Sequence, residues 1–183
     1  MKILLVRHGE SEHNSGKSAN KDSSLTKKGK SQAEHLGKKL RKEKIKIDKI
    51  YTSNLIRSKQ TAEIISKIIK VPIKKSLEEL NEYPSANLRN KIKIFFNARI
   101  KKLRNLLNSI AKDKEKNKTI PIVAHGVTNR IIIGHLLEIP LGKQLLRLWQ
   151  HNTAVSVLIW NKNFKNWGLE SMNDVNHLPK NLK

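Results

Sequence analysis

Cysteine is absent from this 183-residue chain, which excludes disulfides and thiolate metal ligands. That absence fits a reducing compartment. Aromatic residues make up only 4% of the chain, too few for the interleaved stacking platform of a single-strand nucleic-acid binder. No stretch approaches the ~20 apolar residues of a membrane span. The one apolar run at the start, Ile3 to Val6, is broken by Arg7 and is too short for a secretory signal core. There is no internal repeat and no Pro/Gly linker that would divide the chain. These absences leave one expectation, a cytoplasmic single domain over residues 1–183, long enough to bury roughly 70% of its unfolded surface.

Acidic residues are scarce as well: 15 Asp and Glu stand against 38 Lys and Arg, a net charge of +23. Such basicity raises the question of a nucleic-acid partner. The lysines, however, are spread over nearly every segment instead of forming one block. A general attraction for anionic substrates accounts for them more simply, so nucleic acid is not the expected partner.

What is present alternates between apolar runs and amphipathic stretches. Residues 1–7 read as a first strand and 14–24 as a loop. Thr26 reads as the N-cap of a helix to about Lys44, with Ala33, Leu36 and Leu40 on one face. A second strand is expected from Ile47 to Thr52. Ser53 then caps a helix that carries Leu55, Ala62, Ile65 and Ile69. Val71 to Lys75 reads as a third strand. A long helix from Leu88 to Ile110 carries an apolar stripe (Ile92, Phe96, Ile100, Leu103, Leu107, Ile110) and a basic face that includes Arg99, read as solvated. After a charged turn, Thr119 to Ala124 forms a fourth strand, Gly126 opens a helix to Leu137, and Ala154 to Trp160 is a late strand. The alternation predicts an α/β, single-domain three-layer sandwich, with a mostly parallel sheet flanked by helices on both faces.

Three chemically informative residues occupy equivalent places in that scheme. Arg7-His8-Gly9 follows the first strand, Arg57 lies one turn into the helix after the second, and His125-Gly126 follows the fourth. Parallel strands share one carboxyl edge, where open α/β sheets bind ligands. Any one of these residues alone reads as structural. Together, two Arg, two His and helix N-termini make a cationic pocket suited to a phosphoryl group. No Cys is present and no His/carboxylate spacing suggests a metal site, so no metal and no cofactor are expected.

These residues also carry a resemblance. Leu5-Val6-Arg7-His8-Gly9-Glu10-Ser11 with Asn14, Leu25-Thr26-Lys27-Lys28-Gly29 with Gln32-Ala33, Tyr51-Thr52-Ser53 through Arg57 to Gln60-Thr61-Ala62, Val123-Ala124-His125-Gly126 and Asn152-Thr153-Ala154-Val155 occur in order. In this the chain resembles the histidine phosphatase superfamily, the phosphoglycerate-mutase-like group. It departs from the family at His13, where Trp or a similar residue is usual. The resemblance implies that His8 attacks phosphorus and that water cleaves the phosphoenzyme. It further implies that Arg7, Arg57 and His125 hold the phosphoryl oxygens, with Asn14 as a neutral donor and Gly126 in the binding site.

The proton donor implied by the resemblance is a Glu after the third strand in a Leu-x-Glu pattern. Both Glu79 and Glu82 fit, and Glu82-Tyr83 matches a family variant at nearer the usual spacing, so Glu82 is preferred. A lid or specificity insertion is expected at about 82–118. The implied function is phosphomonoester hydrolysis of a small phosphorylated metabolite, by a monomer or homodimer. A phosphoglycerate mutase is the alternative; it is set second because such mutases resemble longer chains with extra loops. A non-catalytic nucleic-acid-binding module is a third reading, disfavoured by the intact Arg7, His8, Arg57 and His125 set.

Overall fold

The N-terminal apolar run forms β1 (Lys2–Arg7), with Ile3, Leu4, Leu5 and Val6 all buried. A strand covered on both faces has no reason to alternate apolar with polar residues. Ile3 and Leu5 pack into one core with Leu103, Leu107, Ile122 and Ile132. Leu4 and Val6 pack into the other with Leu36, Leu40, Ala62 and Ile65. The structure is a computed structural model that describes residues 1–83, 93–114, 116–140 and 147–183.

The remaining elements are α1 (Lys27–Lys42), β2 (Ile50–Ser53), α2 (Ile56–Ile69), β3 (Ile73–Leu77), α3 (Lys93–Ile110), β4 (Thr119–Ala124), α4 (Gly126–Leu136), β5 (Val155–Asn161) and β6 (Asn166–Asp174). The sheet order is β3-β2-β4-β1-β5-β6. Strands β1, β2, β3 and β4 run parallel, β5 is antiparallel to β1, and β6 is antiparallel to β5. The fold is therefore a single α/β domain with a mostly parallel sheet. Helices α1 and α2 cover one face; α3 and α4 supply the other core.

Several local expectations shift. Thr26 caps α1 as read, its Oγ1 accepting from the Gly29 amide at 3.0 Å. Ser53 does not cap α2, however. The helix begins later, and the amide of Ile56 is satisfied by Asp22 Oδ1 at 2.7 Å, from the loop after β1. Arg57 is accordingly the second residue of α2 instead of one turn in. Strand β3 runs two residues later than the sequence pattern predicts, and that pattern gives no sign of β6. Its residues are largely exposed or half-buried on the sheet edge, so no apolar period marks it.

Of the expected long helix, residues 88–92 lie outside the described residues. Ile100, Leu103, Leu107 and Ile110 are buried as the stripe requires. Arg99 leaves the solvated face: its guanidinium stacks 3.9 Å from the Tyr83 ring and donates to the carbonyls of Asn81 and Glu82. No helix among the described residues is long and apolar enough to cross a membrane.

Candidate active site

His8 sits at the end of β1 with 2% of its surface exposed, fixed by its neighbours. Its amide donates to Ala124 O at 3.0 Å, and its carbonyl accepts from Asn152 Nδ2 at 3.0 Å and from the Thr153 amide at 3.3 Å. Thr153 holds this position with φ +54°, a left-handed conformation that β-branched residues rarely adopt. The next residue, Gly9, donates its amide to Thr61 Oγ1 at 3.0 Å. It also packs so closely on Gly29 that a Cβ there would lie 2.5 Å from Gly29 O.

The imidazole of His8 is held as firmly. Nδ1 lies 2.7 Å from Gly9 O. A carbonyl can only accept, so Nδ1 carries the proton and Nε2 the lone pair. That lone pair accepts from Arg57 Nε at 3.1 Å. Burial, then the charges of Arg57 and Arg7, drive the ring's pKa well below 6.5. His8 is thus a neutral imidazole whose unprotonated Nε2 faces Arg57 in the cleft.

His125 stands at the N-cap of α4, fully buried, its ring centroid 5.0 Å from that of His8. Its Nε2 is 2.7 Å from Ser53 Oγ. Burial again dominates a strongly lowered pKa, with His8, Arg57 and Arg7 adding to it. Nδ1 has no hydrogen-bond partner and lies 3.8 Å from Glu82 Oε2.

Three guanidinium groups surround the pair. Arg7 donates through Nη1 to Gln150 O at 2.6 Å, and its buried Nε is unpartnered. Arg57 Nη1 donates to Lys21 O at 2.6 Å. Arg130, one helical turn after Gly126, bonds back to Gly126 O at 3.0 Å. A Cβ at Gly126 would lie 3.7 Å from both Arg130 Nη2 and Arg7 Nε, so the two cations flank the bare backbone where α4 begins.

Glu82 is drawn into this pocket, and Glu79 is not. Glu82 Oε1 accepts from the Val127 amide at 3.1 Å, in the first turn of α4. Burial raises its pKa, opposed by that amide, Arg57 and Arg7. Its backbone is pinned by Arg99 to Glu82 O at 3.2 Å and by Thr128 Oγ1 to Asn81 O at 2.9 Å. Glu79 opens onto a separate cleft with Glu78, Arg99 and Lys102. Asn14 lines the pocket while its amide donates to Asn152 Oδ1 at 3.1 Å.

The cleft encloses about 570 Å³, with His13, Lys21 and Trp149 among its lining residues; Trp149 is 64% exposed. Sequence reasoning missed Arg130, Lys21, Trp149 and the role of Ser53. Only Arg130 left a readable signal, because position i+4 from a helix-opening Gly126 faces the same end of the sheet. His8, Glu82 and His125 bring potential metal-ligand atoms within 4.8 Å of one another. The surrounding guanidinium groups, however, disfavour a dication and favour an anion with several oxygens. The arrangement can present a nucleophilic nitrogen, a pKa-raised carboxyl and a cage of donors to one phosphoryl group.

Comparison with known proteins agrees with that chemistry. Residues 3–92 and 96–175 match the model of the histidine phosphatase superfamily (branch 1). The chain is 32% identical to the serine/threonine-protein phosphatase Pgam5, mitochondrial, of Drosophila mojavensis over 75% of its own length, and spans about half (51%) of that protein. It is 27% identical to the probable phosphoglycerate mutase GpmB of Erwinia tasmaniensis, over 97% of this chain and 95% of the relative. Among solved structures, phosphoserine phosphatase from Entamoeba histolytica superposes with a TM-score of 0.75 at 26% identity, covering 97% of this chain and 99% of the other.

Proposed function

The chain belongs to the histidine phosphatase superfamily, and from that premise we propose that it hydrolyses small phosphomonoesters through a phosphohistidine on His8. The observation that carries this reading is the tautomer of His8: Nδ1–H is held by Gly9 O and the Nε2 lone pair faces the guanidinium cage. Nε2 attacks phosphorus, and the ester P–O bond breaks. The leaving oxygen takes the proton of the Glu82 carboxyl, whose raised pKa suits it to be an acid. The phosphorylated imidazole carries a positive charge, and Gly9 O stabilises its remaining N–H. Glu82, now a carboxylate, takes a proton from water as the water oxygen attacks phosphorus. The P–N bond breaks, which releases inorganic phosphate and restores His8. Splitting one displacement into two is the gain of covalent catalysis.

Arg7, Arg57 and His125 hold the phosphoryl oxygens, with Asn14 and the Gly126 backbone beside them, where donors act most strongly on charge that shifts in the transition state. Since the Arg7 and Arg57 guanidinium groups fill the role a metal would take, the proposed reaction is metal-independent. The Entamoeba phosphoserine phosphatase has been solved in complex with phosphoserine and with 3-phosphoglyceric acid. Small phosphorylated acids are accordingly the first substrates to test.

The mutase reading keeps one observation in its favour. Chain length does not separate the two activities, contrary to expectation, since the match covers 95% of a probable mutase. Mutase action would need the phosphoryl group returned to a second hydroxyl instead of to water. The deciding experiment is to label the protein with a ³²P-phosphomonoester in EDTA and to assay phosphate release with and without a bisphosphoglycerate primer. Acid-labile, base-stable label that is absent from His8→Ala, with primer-independent phosphate release, supports the hydrolase. Label retained in His8→Ala removes the nucleophile, and primer-dependent isomerisation favours the mutase.

A further inference from the structure

Ser53 ends β2, is fully buried, and has no place in the reaction as written so far. Its hydroxyl makes two contacts among the described residues. It accepts from the Leu55 amide at 3.3 Å and meets His125 Nε2 at 2.7 Å. A hydroxyl has one proton to donate. Nε2 is the one acceptor that Oγ meets among the described residues, so the proton points at Nε2 and the ring nitrogen accepts it.

From this geometry we infer that Ser53 is a positioning residue, which selects the Nδ1–H tautomer of His125 and thereby aims a neutral donor at the bound phosphoryl group. The inference deepens the proposed phosphohistidine reading and rests on it for its catalytic consequence.

Two features on the far side of the ring agree. His125 Nδ1 is buried, unpartnered and 3.8 Å from Glu82 Oε2. A proton there faces oxygen acceptors favourably, whereas a lone pair would face the same oxygens with repulsion. Tautomer choice also matters only for a neutral ring, because an imidazolium carries both protons. Burial keeps His125 neutral, with its pKa well below the ordinary range.

The two histidines are thus set in parallel ways for opposite jobs. Gly9 O takes the Nδ1 proton of His8 and leaves Nε2 free to attack. Ser53 gives a proton to Nε2 of His125 and leaves Nδ1–H free to donate. A β2 residue just before the helix has exchanged its capping role, which Asp22 fills from another loop, for control of a ring in the site.

The test is ¹⁵N-imidazole NMR of histidine-labelled protein, with the His125 signals assigned from His125→Gln. Wild type is expected to show a protonated Nδ1 and a hydrogen-bonded, unprotonated Nε2. Ser53→Ala is expected to shift His125 toward the Nε2–H form and weaken vanadate binding and kcat/KM about tenfold. Ser53→Thr, which keeps the hydroxyl, should restore the wild-type tautomer. Glu82→Gln should leave the tautomer unchanged. A protonated Nε2 in wild type, an unaltered tautomer in Ser53→Ala, or a tautomer lost in Glu82→Gln would each overturn the inference. The wild-type spectrum by itself distinguishes the two tautomers, so misfolding of a variant does not stall the test. The NMR result is also independent of whether His8 becomes phosphorylated, so failure of the two readings can be told apart.

Discussion

Arg57 Nε donates to His8 Nε2 at 3.1 Å, so a guanidinium rests on the nitrogen whose lone pair the proposed reaction uses. That contact orients the ring, and burial first, then the Arg57 charge, lower its pKa. In the proposed reaction the oxygens of an entering phosphoryl group are the better acceptors for Arg57, and the His8 lone pair is released toward phosphorus. The same side chain reaches Lys21 O at 2.6 Å, which ties the loop after β1 to the start of α2. Arg57 therefore joins the His8 ring to the loop after β1.

Replacing Arg57 by Ala should lower kcat/KM about 10²–10³-fold, the usual cost of removing one donor to developing charge. Arg57→Lys should recover only a small part, since an ammonium lacks the fork that serves His8 and Lys21 O together. Steady-state kinetics with phosphate as a competitive inhibitor will check both. An Arg57→Lys variant equal to wild type would show that charge alone suffices.

The pH profile follows from two opposed shifts. His8 must be neutral to attack, and its lowered pKa keeps it so well into mild acid. Glu82 must be protonated to donate, and its raised pKa extends that state upward from the ordinary carboxylate range. As pH falls, activity is lost through His8; as pH rises, it is lost through Glu82. The kcat/KM profile of an alkyl phosphate should therefore be a bell with a mildly acidic optimum. Glu82→Gln should flatten its alkaline limb and cost about 10²–10⁴-fold on alkyl phosphates, while sparing activated aryl phosphates. Glu79→Gln, in its separate cleft, should match wild type on both. A leaving-group-dependent loss in Glu79→Gln would reassign the acid.

How far the sequence discloses this site depends on how local each signal is. The strand ends carrying His8 and His125 are legible because an apolar run followed by Gly is a short-range pattern. The course of β6 is not, because an exposed antiparallel edge imposes no apolar period on its residues. Ser53 misleads for a related reason. A Ser just before a helix ordinarily serves as a cap, and only the tertiary fold shows that Asp22, 34 residues before Ile56, satisfies the Ile56 amide instead. Arg99 looks like one more solvated cation until the fold lays it against Tyr83 and the carbonyls beside Glu82. Glu79 and Glu82 are three positions apart in sequence. The turn between them sends one carboxyl into the cleft and the other out of it.

Gly29 packs against the turn that follows His8. A methyl at Gly29 would stand 1.9 Å from Glu10 O, and one at Gly9 would stand 2.5 Å from Gly29 O. Both obstacles are backbone and cannot swing aside. Gly29→Ala should therefore destabilise the fold by about 3 kcal/mol and displace the loop that orients His8. Denaturant unfolding, with phosphoenzyme formation measured on the folded fraction, will read both effects. A variant that keeps wild-type stability would show that the α1 start can move away from this loop.

His177 ties acid stability to Thr153, in the segment before β5 that bonds the backbone of His8. Its Nε2 lies 3.0 Å from Thr153 Oγ1, whose own proton goes to Asn152 O at 2.8 Å. Nε2 therefore carries the hydrogen, and Nδ1 is buried with no partner, so protonation would place an unpaired charge there. Burial first, then Lys39, His35 and Lys183, lower its pKa from 6.5 to about 4, with Asp174 opposing. The unfolded chain protonates near 6.5 and the folded one only near 4, so between those values the unfolded state holds more protons. The stabilisation is complete above about 6.5 and is lost as pH falls toward 4, by about 3 kcal/mol from this one residue. Denaturant unfolding of wild type across pH 7.5 to 4.5 should show that decline. His177→Gln should be less stable at pH 7.5, yet its dependence on pH should be shallower by up to about 1.4 kcal/mol per pH unit. His8, His125 and His135, whose pKa values burial also lowers, add to the slope that remains. Parallel curves for wild type and His177→Gln would remove His177 from the account of acid sensitivity. Because Thr153 also donates its amide to Arg7 O and His8 O, a shallower curve should come with weaker phosphate binding in the variant even at neutral pH.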